Sequence, residues 1–179
     1  MAVPADIILG DGAFAIGPTT SGTTTIALTR GGGRFSVERE YRSIEADGDY
    51  GPVKDRTRLI KSVAKLEMNL LEIVPDDMDY YHPSISADHT AGSTTAIITG
   101  AGLTSNITSS DYNYATWTGY NKAGRRVYIE LQNAINLENI DWAMVDKEEI
   151  ISKLTFQAHY SETARTTEPW KIIFTTTSS

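Results

Sequence analysis

Apolar and polar residues alternate with period two along six stretches of the chain. Phe35, Val37, Arg39 and Tyr41 interleave with Ser36, Glu38 and Glu40, and Leu66, Met68 and Leu70 with Lys65, Glu67 and Asn69. The same pattern returns at Val127, Ile129 and Leu131, at Ile140, Trp142 and Met144, at Leu154, Phe156, Ala158 and Tyr160, and at Trp170, Ile172 and Phe174. Period two puts one set of side chains on each face of a strand, so each stretch predicts a half-buried strand. Antiparallel sheets covered on one face give this pattern, whereas buried parallel strands are apolar throughout.

Two hairpins follow from the spacing. Tyr112–Tyr120 and Arg125–Leu131 flank Asn121-Lys122-Ala123-Gly124, a good four-residue turn. Ile140–Met144 and Ile150–Tyr160 flank the charged reversal Asp146-Lys147-Glu148-Glu149. One short helix is predicted over Pro75–Tyr81, where proline in the first turn and Asp76, Asp77 and Asp79 suit the helix dipole and Pro83 ends it. The expected fold is mainly β: two packed antiparallel sheets, as a sandwich or partial barrel, with one short flanking helix. Residues 1–179 are read as a single domain.

Two segments stand outside the alternation. Residues 84–110 are rich in Ser, Thr and Gly and predict a loop or short β excursion, as does Gly17–Thr25. Residues 42–62, between two strands, carry Glu45, Asp47, Asp49, Lys54, Asp55, Arg56, Arg58 and Lys61. Structureless connections beyond about 12–15 residues are uncommon unless they function. This one predicts either a solvated loop or an arm that orders against a partner.

Composition narrows the function classes. The 179 residues include no cysteine, which removes disulfides, thiolate metal sites and cysteine nucleophiles together. Sixteen Lys and Arg against twenty-three Asp and Glu give a net charge of −7. Duplex binding draws on basic residues at phosphates, so a nucleic-acid reader is disfavoured. No apolar run approaches the roughly 20 residues that cross a bilayer as a helix, and the first residues show no signal-peptide pattern.

Catalytic and metal motifs fail on specific positions. Glu45-x-Asp47-x-Asp49 begins like a calcium loop, but Tyr50 stands where the turn glycine belongs and Arg56 where the bidentate glutamate belongs. Gly17–Thr24 has the glycine spacing of a phosphate loop, with Thr23 in place of the lysine. His82, His89 and His159 are scattered, no serine sits in G-x-S-x-G, and the aspartates near residue 77 are explained by a helix start. No enzyme and no cofactor, metal or catalytic residue is expected.

The order of parts does resemble a known family. The strand ending in Glu38-Arg39-Glu40-Tyr41-Arg42 leads into the arm with Ile44–Gly48 and Gly51–Asp55. The strand Ala64–Ile73 and a short helix follow. Late in the chain come Asn133-Ala134-Ile135, Leu154–Tyr160 and Glu168-Pro169-Trp170-Lys171-Ile172-Ile173-Phe174. From about Gly33 onward this is similar to the major tail protein, or tail tube protein, of long flexible-tailed bacteriophages. The resemblance implies a paired-sheet fold whose subunits form hexameric rings that stack into a hollow tube carrying phage DNA.

Carried onto this chain, it implies an inter-ring arm at 42–62 using Glu45, Asp47, Asp49, Lys54, Asp55, Arg56 and Arg58. It implies candidate lumen-facing carboxylates at Glu38, Glu40, Glu67 and Glu130; six copies at −7 give about −42 per ring, which repels phosphate. Implied partners are further copies of the chain, a tape measure protein, and tail terminator and baseplate proteins, with DNA in transit and no membrane. The implied location is the virion, after assembly in the host cytoplasm. Two alternatives fit the same pattern: an inner tube of a contractile tail or injection machine, and a carbohydrate- or surface-binding β-sandwich using the grouped Tyr112, Tyr114, Trp117 and Tyr120.

Overall fold

The computed structural model describes residues 7–19, 24–26, 28–88, 95–102 and 106–175. The chain is mainly β. Its strands are β1 (Ile8–Gly17), β2 (Thr24–Ile26), β3 (Thr29–Ser43), β4 (Thr57–Leu70), β5 (Ile85–Asp88), β6 (Ile97–Gly100), β7 (Asn113–Asn121), β8 (Arg126–Asn136), β9 (Ser152–Ala158) and β10 (Trp170–Phe174). A 3-10 turn at Pro75–Asp77 runs into α1 (Met78–Tyr81), the predicted short helix, and a second 3-10 turn lies at Ser109–Asp111.

Eight strands form one antiparallel sheet in the order β2-β1-β7-β8-β9-β4-β3, with β10 also on β8. The branch at β8 makes the two layers. Its first half, Val127–Leu131, pairs with β10, and its last residues, Ala134–Asn136, pair with β9. The sheet then folds back, so that β3 crosses β1 and β10. Phe35 of β3 meets Trp170 of β10 with ring centroids 5.8 Å apart. The Phe14 ring of β1 fills the place where a Gly33 side chain would stand, 2.4 Å from an ideal Cβ. Any side chain at Gly33 would push the layers apart there. The second sheet is the hairpin β5–β6, which packs on the core through Ile85 and Ile98.

The alternation read from the sequence locates the core. Ala64, Leu66, Met68 and Leu70 of β4, Leu154, Phe156 and Ala158 of β9, and Leu131 of β8 are all buried in one cluster with Phe14, Ile16 and Ala115. Phe156 is fully buried at its centre. The β7–β8 hairpin forms on the predicted turn. The Asn121 side-chain oxygen accepts from the N–H groups of Ala123 (3.0 Å) and Arg125 (2.9 Å), and Gly124 takes φ +76°. Such local bonds are why Asn opens turns and Gly closes them.

Three expectations are corrected. Ile140–Met144 is not a strand, and no hairpin joins it to β9. Asn136 ends β8 by accepting from Glu138 N–H (3.1 Å), and β9 pairs with β4 and β8 instead. Only Trp142 turns to the core, with its Nε1–H towards Ser152 Oγ at 3.4 Å, while Ile140 and Met144 are exposed. Strand β9 stops at Ala158, leaving Tyr160 outside it. The segment 42–62 is only partly a loop, as described below. Of the Ser/Thr/Gly-rich excursion 84–110, residues 89–94, including His89, and 103–105 lie outside the described residues.

Helix α1 is tied to β8 through buried polar groups. Asn136 Nδ2 donates to Tyr81 O at 2.8 Å and lies 3.3 Å from His82 Nδ1. Burial pushes His82 below its ordinary value of 6.5, because the charged ring would lose water. Burial, reinforced by Asp77 and Glu72, pushes the Tyr81 phenol up to about 12.

Two outcomes follow for stability. The unfolded chain protonates His82 below pH 6.5 while the folded chain resists, so His82 contributes a loss of stability as pH falls from 6.5. His82→Gln should flatten that slope between pH 7.5 and 5.5 in thermal melts; an unchanged slope would contradict it. Separately, Gly119 and Gly12 seat the Trp117 indole, whose ring carbons lie as close as 2.2 Å to an ideal Cβ on Gly119. Gly119→Ala should cost about 1–3 kcal/mol in urea unfolding and shift tryptophan emission.

Candidate assembly surfaces

Strands β3 and β4 continue past the core as a two-stranded ribbon. After a bulge at Ile60, Tyr41 pairs with Leu59, Arg42 with Arg58 and Ser43 with Thr57. The connecting loop is therefore 44–56, shorter than the 42–62 expected, and its base is ordered by a ladder. The sequence signal was weak because Thr57–Lys61 does not alternate. Every residue from 51 to 61 is exposed.

The loop closes on its own bonds. Ile44 N–H donates to Arg56 O at 3.0 Å. Asp49 accepts from Ala46 N–H and from Arg56 Nη1, both at 2.8 Å. Gly48 and Asp55 take the left-handed region at φ +94° and +68°. The fold thus gathers Glu45, Asp47, Asp49, Lys54, Asp55, Arg56 and Arg58 into one projection, and among the described residues only Asp49 and Arg56 form an ion pair within that set. Tyr50 stands fully in solvent at its tip, and Tyr41, Ile44, Leu59 and Ile60 are exposed along it.

The four candidate lumen carboxylates do not share a face. Directly opposite residues in a ladder lie on one face. Glu40 is opposite Lys61 and Glu67 opposite Arg34, and Glu38 bonds Lys65 at 3.0 Å. Lys153 lies on the same face, opposite Asn69 of β4. Glu38, Glu40 and Glu67 thus sit among four cations on the outer face of β3–β4–β9. Glu130 lies on the other layer, half-buried, accepting from Gln132 (2.9 Å) and 3.9 Å from Lys171.

The grouped aromatics also divide. Trp117 lies inward over Gly12 and Gly119, while Tyr114 and Tyr120, three residues before and three after it, lie on the outer face of β7. Tyr112 packs edge-on to His159 at 5.4 Å. No single exposed aromatic row results among these four.

Two surfaces escaped the sequence reading. The inner face of the first layer runs out beyond its cover, leaving Ile172 and Phe174 exposed, and Ile8 and Leu9 of β1 are exposed as well. Beside it, between β1 and β3, opens a cleft of about 540 Å³ lined by Phe14, Phe35, Leu66, Trp117 and Ile129, with Asp11 and Arg34 its charged residues. Strand β3 itself ends the sheet, with β4 on one side and no strand on the other among the described residues. The glycine- and alanine-rich β1 gave no alternation by which to foresee either. No group of three or more His, Asp or Glu placed to hold a metal occurs among the described residues.

No family model and no curated protein sequence matches the chain. Among solved structures, a chain of "Virion of native gene transfer agent (GTA) particle" is similar with a TM-score of 0.44 and 12% identity, over 90% of this chain and 95% of that one.

Asp49→Ala removes the two side-chain bonds that close the loop and leaves the backbone bond from Ile44 N–H to Arg56 O. It should cost no more than about 1 kcal/mol of global stability, since the pair is partly exposed, yet sharply raise proteolytic cleavage within 44–56. Unchanged cleavage would show that the tip is held by other means.

Proposed function

We propose that this chain is a structural virion protein that polymerises as stacked hexameric rings into the hollow tail tube through which phage DNA passes. The observation that carries the reading is the β3–β4 ribbon. It projects a ladder with exposed apolar side chains on a chain whose terminal strand has a free edge. A long open edge invites pairing, and an exposed ribbon is marginal in water without a surface to lie on. Rings satisfy both: lateral neighbours cover edges, and axial neighbours receive the arm.

Large exposed apolar side chains gather on the ribbon, at the first strand, along the 137–145 connection and at the end of β10. Function is structural in this reading, with no reaction and no cofactor. The tape measure protein would occupy the tube, and terminator and baseplate proteins would cap it. The net charge of −7 per copy suits DNA that slides without adhering.

Deleting Asp47–Lys54 leaves both strands of the ribbon intact and removes the tip. The variant should stay folded by circular dichroism and form no tubes. Tubes of normal length from it would overturn the arm's place in stacking.

A further inference from the structure

Charge on this chain is arranged by pole. Strand β4 has 14 residues, so its ends lie about 45 Å apart. At its first end, residues 41–61 carry five cations and four carboxylates. Arg42 and Arg58 stand directly opposite each other in the ladder, both exposed, and neither enters an ion pair among the described residues. Like charges facing across a ladder destabilise it. Asp49 is paired with Arg56 and Glu38 with Lys65. The ribbon base therefore sets two exposed arginines directly opposite each other in the ladder.

The other end of β4 is the acidic pole. Residues 72–79 carry four carboxylates and no cation, and residues 138–149 carry five carboxylates and one lysine. Both segments belong to that end: Leu71 N–H donates to Leu28 O, Ser152 is opposite Leu70, and Asn136 bonds Tyr81 O. Within 72–79 the carboxylates repel: Asp77 is raised by burial, against a hydrogen bond from Thr24, and further by Asp79 and Asp76, while in 138–149 Glu149 is paired with Arg30 of β3. The length of β4 keeps the two poles of one molecule from meeting.

We infer that the Arg42–Arg58 pair of one copy receives carboxylates of the 72–79 segment of a second copy placed head to tail. The inference rests on the stacking arm proposed above and names the surface that receives it. Two different patches meet, so the contact is heterologous and repeats along an axis without closing. Opposite charges at the two poles also fix polarity and register, since head-to-head approach sets arginines against arginines and tail-to-tail sets carboxylates against carboxylates.

The test compares full-length wild type, Arg42→Glu/Arg58→Glu, Glu72→Arg/Asp79→Arg and the four-residue combination, each checked for folding by circular dichroism. Assembly is followed by sedimentation at low and high ionic strength and by electron microscopy. Each two-residue reversal should raise the concentration needed for assembly at least about tenfold, high salt should weaken wild-type assembly, and the combination should restore it. A folded arginine reversal that assembles at the wild-type concentration overturns this inference and leaves the tube reading standing. So does a folded four-residue variant that fails to recover, or duplex DNA capture that is lost on arginine reversal while assembly is unchanged. A wild type that neither assembles nor self-associates overturns both.

Discussion

Backbone donors and acceptors at the edge of a sheet are met by water or by a pairing partner, and the longest such edge in this chain is β3. It is 15 residues long, it ends the eight-stranded sheet, and only one of its sides is occupied by a strand among the described residues. The rest of the molecule is built around placing it. The branch at β8 turns the sheet back so that β3 crosses the first layer, with Phe14 against Gly33 and Phe35 against Trp170 as the cross-layer contacts. Once past the core, β3 has only β4 for company, and the two go on as a ribbon. Charged side chains at Arg34, Glu38, Glu40 and Arg42 guard the edge against indiscriminate pairing. They leave it open to a partner that matches them.

The chain's electrostatics follow the same geometry. Cross-strand pairs neutralise the outer face of β3–β4–β9, so the face that seemed to offer an acidic wall is mixed. The net negative charge lies instead in the segments at the far end of β4, around α1 and in the long connection between β8 and β9. A molecule with its acidic surface at one end and facing arginines at the other has a direction. Direction is what a repeating axial assembly needs, and a symmetric dimer does not.

Much of this was legible in the sequence. Where one face is buried, period-two alternation names the buried residues, and β4 and β9 show it residue by residue. The turn at Asn121–Gly124 was legible because Asn and Gly each supply a local feature that the turn requires. Other parts were hidden for physical reasons. Strand β1 carries Gly10, Gly12, Ala13 and Ala15 among its residues and so shows little hydrophobic contrast, and Gly12 makes room for Trp117. Ile140–Met144 alternates yet has no ladder to join. The alternation of Trp170, Ile172 and Phe174 was real, but the second layer does not extend over Ile172 and Phe174, and no single-chain pattern reveals where cover stops. The exposed projection at 42–62 stands out in the sequence by its length and charge, and its ribbon base does not, since an exposed ladder imposes no hydrophobic period.

If this fold is completed by copies of itself, electron microscopy of the purified, concentrated protein, alone and seeded with tail baseplates, should show hollow tubes built from six-fold rings of uniform diameter. A protein that stays a folded monomer under both conditions would contradict it.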